Sequence, residues 1–323
     1  MRIIYGYESI DEDLGPIVMT IGTYDGLHVG HQAIIRQVVE RAQKTGARSL
    51  VYSFYPPPWR VIGRGKNPWL ILTLKDKIEL LDSLGVDFLV TEEFTPAIQE
   101  QTHVDFAEEV LGRRIGAREI HFGYDFAFGK DRKGDVHYLR QTLGQRGVDI
   151  RPHGAIRLGG EVVGCTRVRE LVCDGEVHGA APLLGRFHFV RGVVVKGRGR
   201  GRTIDYPTAN VHPETELLPP AGVYAVQLTV GDGEPMAGIA NLGFRPTFAE
   251  QDFSVEVHVF DFDGDLYGER VRVDFIHRVR AEQKFDGPEQ LVAQIDKDVA
   301  AVKASLPWAV PPGGALTWDP KPA

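Results

Sequence analysis

The sequence predicts an α/β domain on a mostly parallel sheet, followed by an antiparallel β-barrel closed by a terminal helix. Three observations predict it. In the first half, apolar β-branched runs alternate with amphipathic stretches at the spacing of βαβ units. Near Leu184 this rhythm gives way to short alternating strands separated by Gly, Pro, Asp and Asn turns. At 323 residues the chain is also long for one compact core, which favours two domains.

The elements follow in order. IVMTIG (Ile17–Gly22) is a strand, and the helix after it keeps Ile34, Ile35, Val38, Val39 and Ala42 on one face. SLVYSF (Ser49–Phe54) is the next strand, and a Pro-rich loop runs on to Pro68. LKDKIELLDSLG reads as a helix that stops at Gly85. VDFLVT, REIHFG and VDIRPH read as strands, with VDFAEEVLG and GDVHYLRQTLGQRG as the helices between them. Beyond Leu184, FHFVRGVVVKG, GVYAVQLTV, PMAGIANLG, SVEVHVFDF and ERVRVDFIHRV are barrel strands, and PEQLVAQIDKDVAAVKASL is the terminal helix. The expected domains are residues 1–183 and 184–306, with a loose Pro/Gly-rich tail over 307–323.

Composition narrows the function. A formal charge of −7 provides no general basic surface, which argues against a nucleic-acid partner. No apolar run approaches the roughly 20 residues of a membrane-crossing helix. The N-terminal MRIIYGYESIDEDLG is acidic and lacks a signal-peptide core, so a cytoplasmic location is expected. The two cysteines, Cys165 and Cys173, lack CxxC spacing, so neither a disulfide framework nor a zinc knuckle is indicated. His103, His121, His137 and His178 form no metal-binding spacing, and no obligatory protein partner is evident.

The stretch TIGTYDGLHVGH (Thr20–His31) carries chemistry. Its glycines let backbone approach a ligand, and the helix that follows points unpaired N–H groups and a positive dipole end at the turn. His28 and His31, three apart, share one side of a helical first turn and can donate to a polyphosphate. In isolation an HxGH is more often a glycine turn with surface histidines. Here the whole string G-x-[FY]-D-G-x-H-x-G-H lies between a strand and a helix. It resembles the nucleotidyltransferases that join an adenylyl or cytidylyl group to a phosphate acceptor. The form GTYDGLHVGH resembles the N-terminal module of the prokaryotic bifunctional riboflavin kinase/FAD synthetase family.

That resemblance implies a nucleotidyltransferase-type, Rossmann-like sheet, with His28 and His31 catalytic and ATP contacts at Gly22, Tyr24, Asp25 and Gly30. FGYDFAFG (Phe122–Gly129) is similar to the family's G-x-[DN]-F-x-F-G segment, which implies flavin contacts at Asp125, Phe126 and Phe128. CTRVRE (Cys165–Glu170) resembles its S-S-T-x-I-R segment, with Thr166 and Arg169 matching the triphosphate-holding residues. The chain departs from the pattern at Thr23, Tyr24, Pro57, Ile71, Gly164 and Cys165. Several of these positions lose polar donors, so adenylyl transfer is expected to need more ATP than the kinase step.

In the second half, KGRGRGRTIDYPTANV (Lys196–Val211) has the glycine-rich backbone of a phosphate nest, although a basic β-turn is the simpler reading of its glycines alone. Thr208 and Asn210 of PTAN are hard oxygen ligands suited to Mg²⁺. This run closely resembles the riboflavin kinase signature, and the resemblance continues from Phe187 to Leu306. It implies phosphate contacts at Gly197, Gly199, Gly201 and Arg202, a general base at Glu256 and a flavin contact at Phe285. Asp205 stands where glycine is usual. Without the family, Glu256 is a polar-face residue of SVEVHVF, opposite Val255, Val257 and Val259.

The expected function is ATP- and Mg²⁺-dependent conversion of riboflavin to FMN and of FMN to FAD, all small-molecule substrates and products. Two alternatives stay open: a riboflavin kinase with an impaired adenylyltransferase domain, and a non-catalytic flavin-binding regulator.

Overall fold

The computed structural model describes residues 1–63, 68–123, 126–197, 204–246, 251–312 and 314–319. The first half forms β1 (Arg2–Tyr5), β2 (Ile17–Ile21), β3 (Arg48–Phe54), β4 (Phe88–Glu92), β5 (Ala117–Gly123) and β6 (Asp149–His153). They make one sheet in the order β1-β4-β3-β2-β5-β6, and every neighbouring pair is parallel. β2 and β4 are buried along their whole length, which is why they read as runs rather than as alternations. The edge strand β1 lacks such a run, and the sequence pattern did not announce it.

The connecting helices are α1 (Val29–Thr45), α2 (Pro58–Ile62), α3 (Leu74–Ser83), α4 (Pro96–Glu100), α5 (His103–Asp105) and α6 (Val136–Thr142). α1 buries the five aliphatic and alanine positions its periodicity marks, and ends at Gly46 with φ 68°. α3 opens on a capping box between Thr73 and Asp76. The segment VDFAEEVLG departs from the expected α-helix. Phe106–Arg114 is π-helical, and the Ile115 N–H donates to the Val110 carbonyl at 3.0 Å. The wider ring brings Phe106, Ala107, Val110 and Leu111 into the core together.

Strand order reverses at β2, with β3 on one side and β5 on the other. In open parallel sheets ligands bind beyond the carboxyl ends of strands at such a switch. Here the loops after β2 and β5 meet that description.

β7 (Ile156–Leu158) and β8 (Glu161–Val162) form a small antiparallel pair. Next come α7 (Cys165–Cys173), α8 (Val177–Leu184), β9 (His188–Val195), β10 (Ala209–Pro213), β11 (Gly222–Val230), β12 (Met236–Pro246), β13 (Gln251–Val259), β14 (Arg270–Ala281) and α9 (Pro288–Ala304). The six strands close into an antiparallel barrel, β10-β13-β12-β11-β14-β9. Val194, Val211, Tyr224, Ala240, Val255 and Val257 fill its interior. An outer apolar patch of Val223, Ala225, Ile239 and Ile276 packs with Ala181 of α8 and Val302 of α9.

Contacts group the described residues of Met1–Pro68, Leu72–Gly164 and Gly314–Ala323 into one unit, and those of Trp69–Ile71 and Cys165–Gly313 into another. α7 and α8 go with the barrel, ahead of the composition break, because Val177 and Ala181 are buried in barrel clusters. The tail, expected to be loose, carries a strand. β15 (Leu316–Trp318) pairs antiparallel with β7, the Asp319 N–H donates to the Ala155 carbonyl at 2.8 Å, and the Asp319 carboxylate meets Arg157 at 2.8 Å. Three residues are too few to show a period in sequence.

Candidate active sites

In the first unit, the turn after β2 is shaped by close approach. A Cβ on Gly22 would lie 2.9 Å from Cζ of Tyr24, so only glycine lets that ring fold over the strand end. Tyr24 and Leu27 have φ of 47° and 41°, a region costly for side-chain-bearing residues. Both are buried, at 3% and 1% exposure, and that packing holds the strained turn. The Tyr24 hydroxyl is engaged with Thr20 Oγ1 at 2.6 Å, so what Tyr24 offers the site is a ring edge, 5.0 Å from the His31 ring. Asp25 is buried in the same turn.

His28 caps α1: its Nδ1 accepts from the His31 N–H at 3.2 Å. The two rings stack with centroids 3.6 Å apart. Gly30 leaves room for this, since a Cβ there would be 3.1 Å from the His28 ring. His31 retains some accessible surface, but its Nδ1 is sealed from solvent without a hydrogen-bond partner. Burial, reinforced by His28 and Lys77, pushes its pKa well below the ordinary imidazole value. A neutral imidazole with an unpartnered nitrogen, beside a second imidazole at a helix start, suits a bound phosphate.

The sequence reading missed Lys77. It is 3% exposed, and its Nζ donates to the Thr23 carbonyl at 2.7 Å and to Ser53 Oγ at 3.2 Å. It ties the turn after β2 to the end of β3 and adds positive charge near His31. The only signal was its place four residues after Thr73 on α3, where a lysine ordinarily reaches solvent.

Beyond β5 a cavity of about 610 Å³ is lined by Phe54, Phe94, Phe106, Phe126 and Phe128 among others. Phe126 and Phe128 stack at 5.4 Å. Gly134 makes room for Phe128, whose ring would lie 2.6 Å from a Cβ there. Flat aromatic walls of this kind suit a flat aromatic ligand. Asp125 lies outside the described residues.

Thr166 and Arg169 belong to the second unit, three apart on α7. Thr166 is exposed, and Arg169 Nε donates to the Trp69 carbonyl at 2.9 Å. Ile71, at a position where the family commonly has arginine, is 1% exposed, so an apolar core contact stands in place of a charge.

In the barrel, Asn210 of β10 pairs with Glu256 of β13, and Glu256 pairs on its other side with Asn241 of β12. Directly opposed residues share a face, so the three polar side chains form one row outside the valine-filled interior. Thr208 lies two residues before Asn210, immediately ahead of β10. Gly197 hugs this row: a Cβ there would lie 2.2 Å from Asn210 Nδ2. The Asn210 amide nitrogen donates to the Thr208 carbonyl at 3.4 Å, which makes its carbonyl oxygen the end suited to a cation. The Thr208 hydroxyl and the Asn210 amide oxygen, the latter beside Gly197, are donors of the kind that Mg²⁺, a hard ion, takes. Gly199, Gly201 and Arg202 lie outside the described residues. Phe285 is half-buried, with the Arg280 guanidinium 5.8 Å from its ring centroid.

Comparison with known proteins gives these sites a context. The family model described as FAD synthetase matches residues 10–167, and that described as riboflavin kinase matches 184–306. A Haemophilus influenzae protein named bifunctional riboflavin kinase/FMN adenylyltransferase is 34% identical over 305 residues, covering 94% of this chain and 99% of its own. A Bacillus subtilis protein of the same name is 34% identical over 306 residues, covering 92% and 95%. A crystal structure from Streptococcus pneumoniae, described as a macrolide-efflux protein, superposes with a TM-score of 0.86 at 29% identity, over 95% of this chain and 99% of that one. Among the described residues here, no helix is long and apolar enough to cross a membrane. With both family models matched and relatives aligned over nearly their full length, this chain belongs to the bifunctional riboflavin kinase/FMN adenylyltransferase family.

Proposed function

We propose that this protein converts riboflavin to FMN in its barrel and FMN to FAD in its parallel-sheet unit, using one ATP in each step. In the first step the 5′-hydroxyl oxygen of riboflavin attacks the γ-phosphorus of ATP, the bond to the β-phosphate oxygen breaks, and ADP leaves. Glu256 accepts the hydroxyl proton. Thr208 and Asn210 hold Mg²⁺, which when bound neutralises charge on the ATP phosphates. Gly197 keeps backbone close to the phosphates, and Phe285 contributes to the flavin pocket.

In the second step a phosphate oxygen of FMN attacks the α-phosphorus of ATP, and pyrophosphate leaves. His28 and His31 donate to the oxygens on which charge grows. Phe126 and Phe128 stack the flavin, and Gly22, Asp25 and Gly30 shape the nucleotide turn.

One co-occurrence carries this reading: stacked imidazoles at a helix start, in a chain whose barrel sets a carboxylate opposite Asn210. The test is product analysis after mixing the protein with riboflavin, ATP and Mg²⁺. FMN plus FAD is expected. FMN alone marks an impaired adenylyltransferase, and neither product marks a flavin-binding protein.

A further inference from the structure

The segment that carries Thr208 and Asn210 is clasped from two elements, β13 and α9. Asp205 takes a left-handed φ of 60°, so the chain reverses just before Tyr206. The Tyr206 hydroxyl then donates to Asp296 Oδ1 on α9. That bond to a carboxylate raises the phenol to about 12, so it stays a donor. One residue on, the Pro207 carbonyl accepts from His258 Nδ1 at 2.9 Å, which requires the proton on Nδ1. The Tyr206 ring meets the His258 ring edge-on at 5.1 Å, so the two clasps brace each other.

The clasp has a mechanical consequence. His258 lies two residues beyond Glu256 on the same face of β13. One strand therefore carries both the carboxylate opposite Asn210 and the ring that grips the approach to Thr208. Pro207 lacks an N–H and has a fixed φ, so its carbonyl is the polar handle by which that residue can be held. α9 supplies the other anchor.

We propose that His258 and Asp296 are positioning residues of the kinase site. Acting through Tyr206 and Pro207, they hold the Thr208 hydroxyl in register with Asn210 and Glu256, and so set the affinity for ATP with its divalent cation. This rests on the kinase reading above. Neither residue is assigned contact with substrate.

The test measures Mg²⁺-ATP binding by calorimetry on the full chain, alongside FMN formation across a Mg²⁺ titration. Tyr206→Phe and Asp296→Asn should each weaken Mg²⁺-ATP binding about 3- to 10-fold, as loss of one exposed hydrogen bond of ordinary net strength predicts. The double variant should be no worse than either single, because both remove the same bond. His258→Phe should show a loss of the same order. His258→Asn, whose amide can still donate to the Pro207 carbonyl, should recover most of it. The KM for riboflavin should move less than about twofold, and FAD formation from supplied FMN should not change, since it uses the other unit. Variants that bind Mg²⁺-ATP like wild type overturn the proposal, as does a riboflavin KM that rises in parallel. Additive losses in the double variant would remove the Tyr206–Asp296 bond from it. Wild-type protein that binds Mg²⁺-ATP but makes no FMN instead overturns the kinase reading, and the binding comparison among variants still decides the clasp.

Discussion

Asn210 on β10 lies directly opposite Glu256 on β13, with Asn241 on β12 at the glutamate's other flank. An antiparallel ladder thus fixes the carboxylate relative to the amide oxygen without help from a mobile loop. Glu256→Gln preserves the shape and the ladder but cannot take a proton. FMN formation at saturating ATP and riboflavin should fall about 100- to 10,000-fold, almost wholly in kcat. Near-normal turnover would reduce Glu256 to an ordinary strand residue.

The histidine pair separates a structural from a chemical role. His28→Ala deletes the α1 cap and costs about 1 kcal/mol as well as any catalysis. His28→Asn keeps an acceptor for the His31 N–H, so its deficit reports chemistry. His31→Ala and His28→Asn should each lower FAD formation by roughly 100-fold or more, with FMN formation unchanged. Arg169→Ala should mainly raise the ATP requirement of the FAD step. Unaltered FAD yields in both histidine variants would take the pair out of the mechanism.

His188 sets an acid limit on the barrel. It is 2% exposed, donates from Nε2 to the Leu217 carbonyl at 3.0 Å, and burial lowers its pKa from 6.5 to about 4. A depressed imidazole stabilises the fold fully above the unfolded value of 6.5, and that stability is lost as pH falls towards 4. The loss amounts to up to about 3 kcal/mol. Urea midpoints of the barrel transition between pH 7 and 4 should show it, and His188→Gln should flatten the slope. An unchanged slope would assign the acid sensitivity to other groups.

Domain separability depends on where the chain is cut. A fragment of residues 165–313 keeps α7, α8, the barrel and α9, and should make FMN alone. One starting at Pro182 loses Val177 and Ala181, both fully buried, and should melt earlier by several degrees, since each such side chain contributes about 1 kcal/mol or more. Deleting 314–323 removes β15 and the Asp319–Arg157 pair. That deletion should lower the melting point of the first unit and leave FMN formation intact. Equal melting points for the two barrel fragments would show that α7 and the start of α8 add nothing to the barrel.

Much of this protein was legible in its residues because the relevant chemistry is local. The strand, glycine turn and helix of Ile17–Thr45 follow from apolar periodicity and from positions where no Cβ fits. His28 and His31 share a face because a helix turns once every 3.6 residues. PTAN and SVEVHVF announce closely spaced oxygen donors and a two-sided strand within a few positions.

What stayed hidden depends on partners far along the chain. Lys77 reads as a solvent-facing helix residue until the Thr23 carbonyl, 54 positions away, claims its ammonium. Tyr206 and Asp296 are 90 positions apart, and nothing in the sequence pattern pairs them. Phe106–Arg114 became π-helical because of what it buries, and Leu316–Trp318 became a strand because β7 had an open edge to pair with. Sequence alone determined which groups could do chemistry, since those preferences are intrinsic to residue and spacing. Only the tertiary structure decided which of them meet, because burial and long-range hydrogen bonding form after the chain has closed on itself.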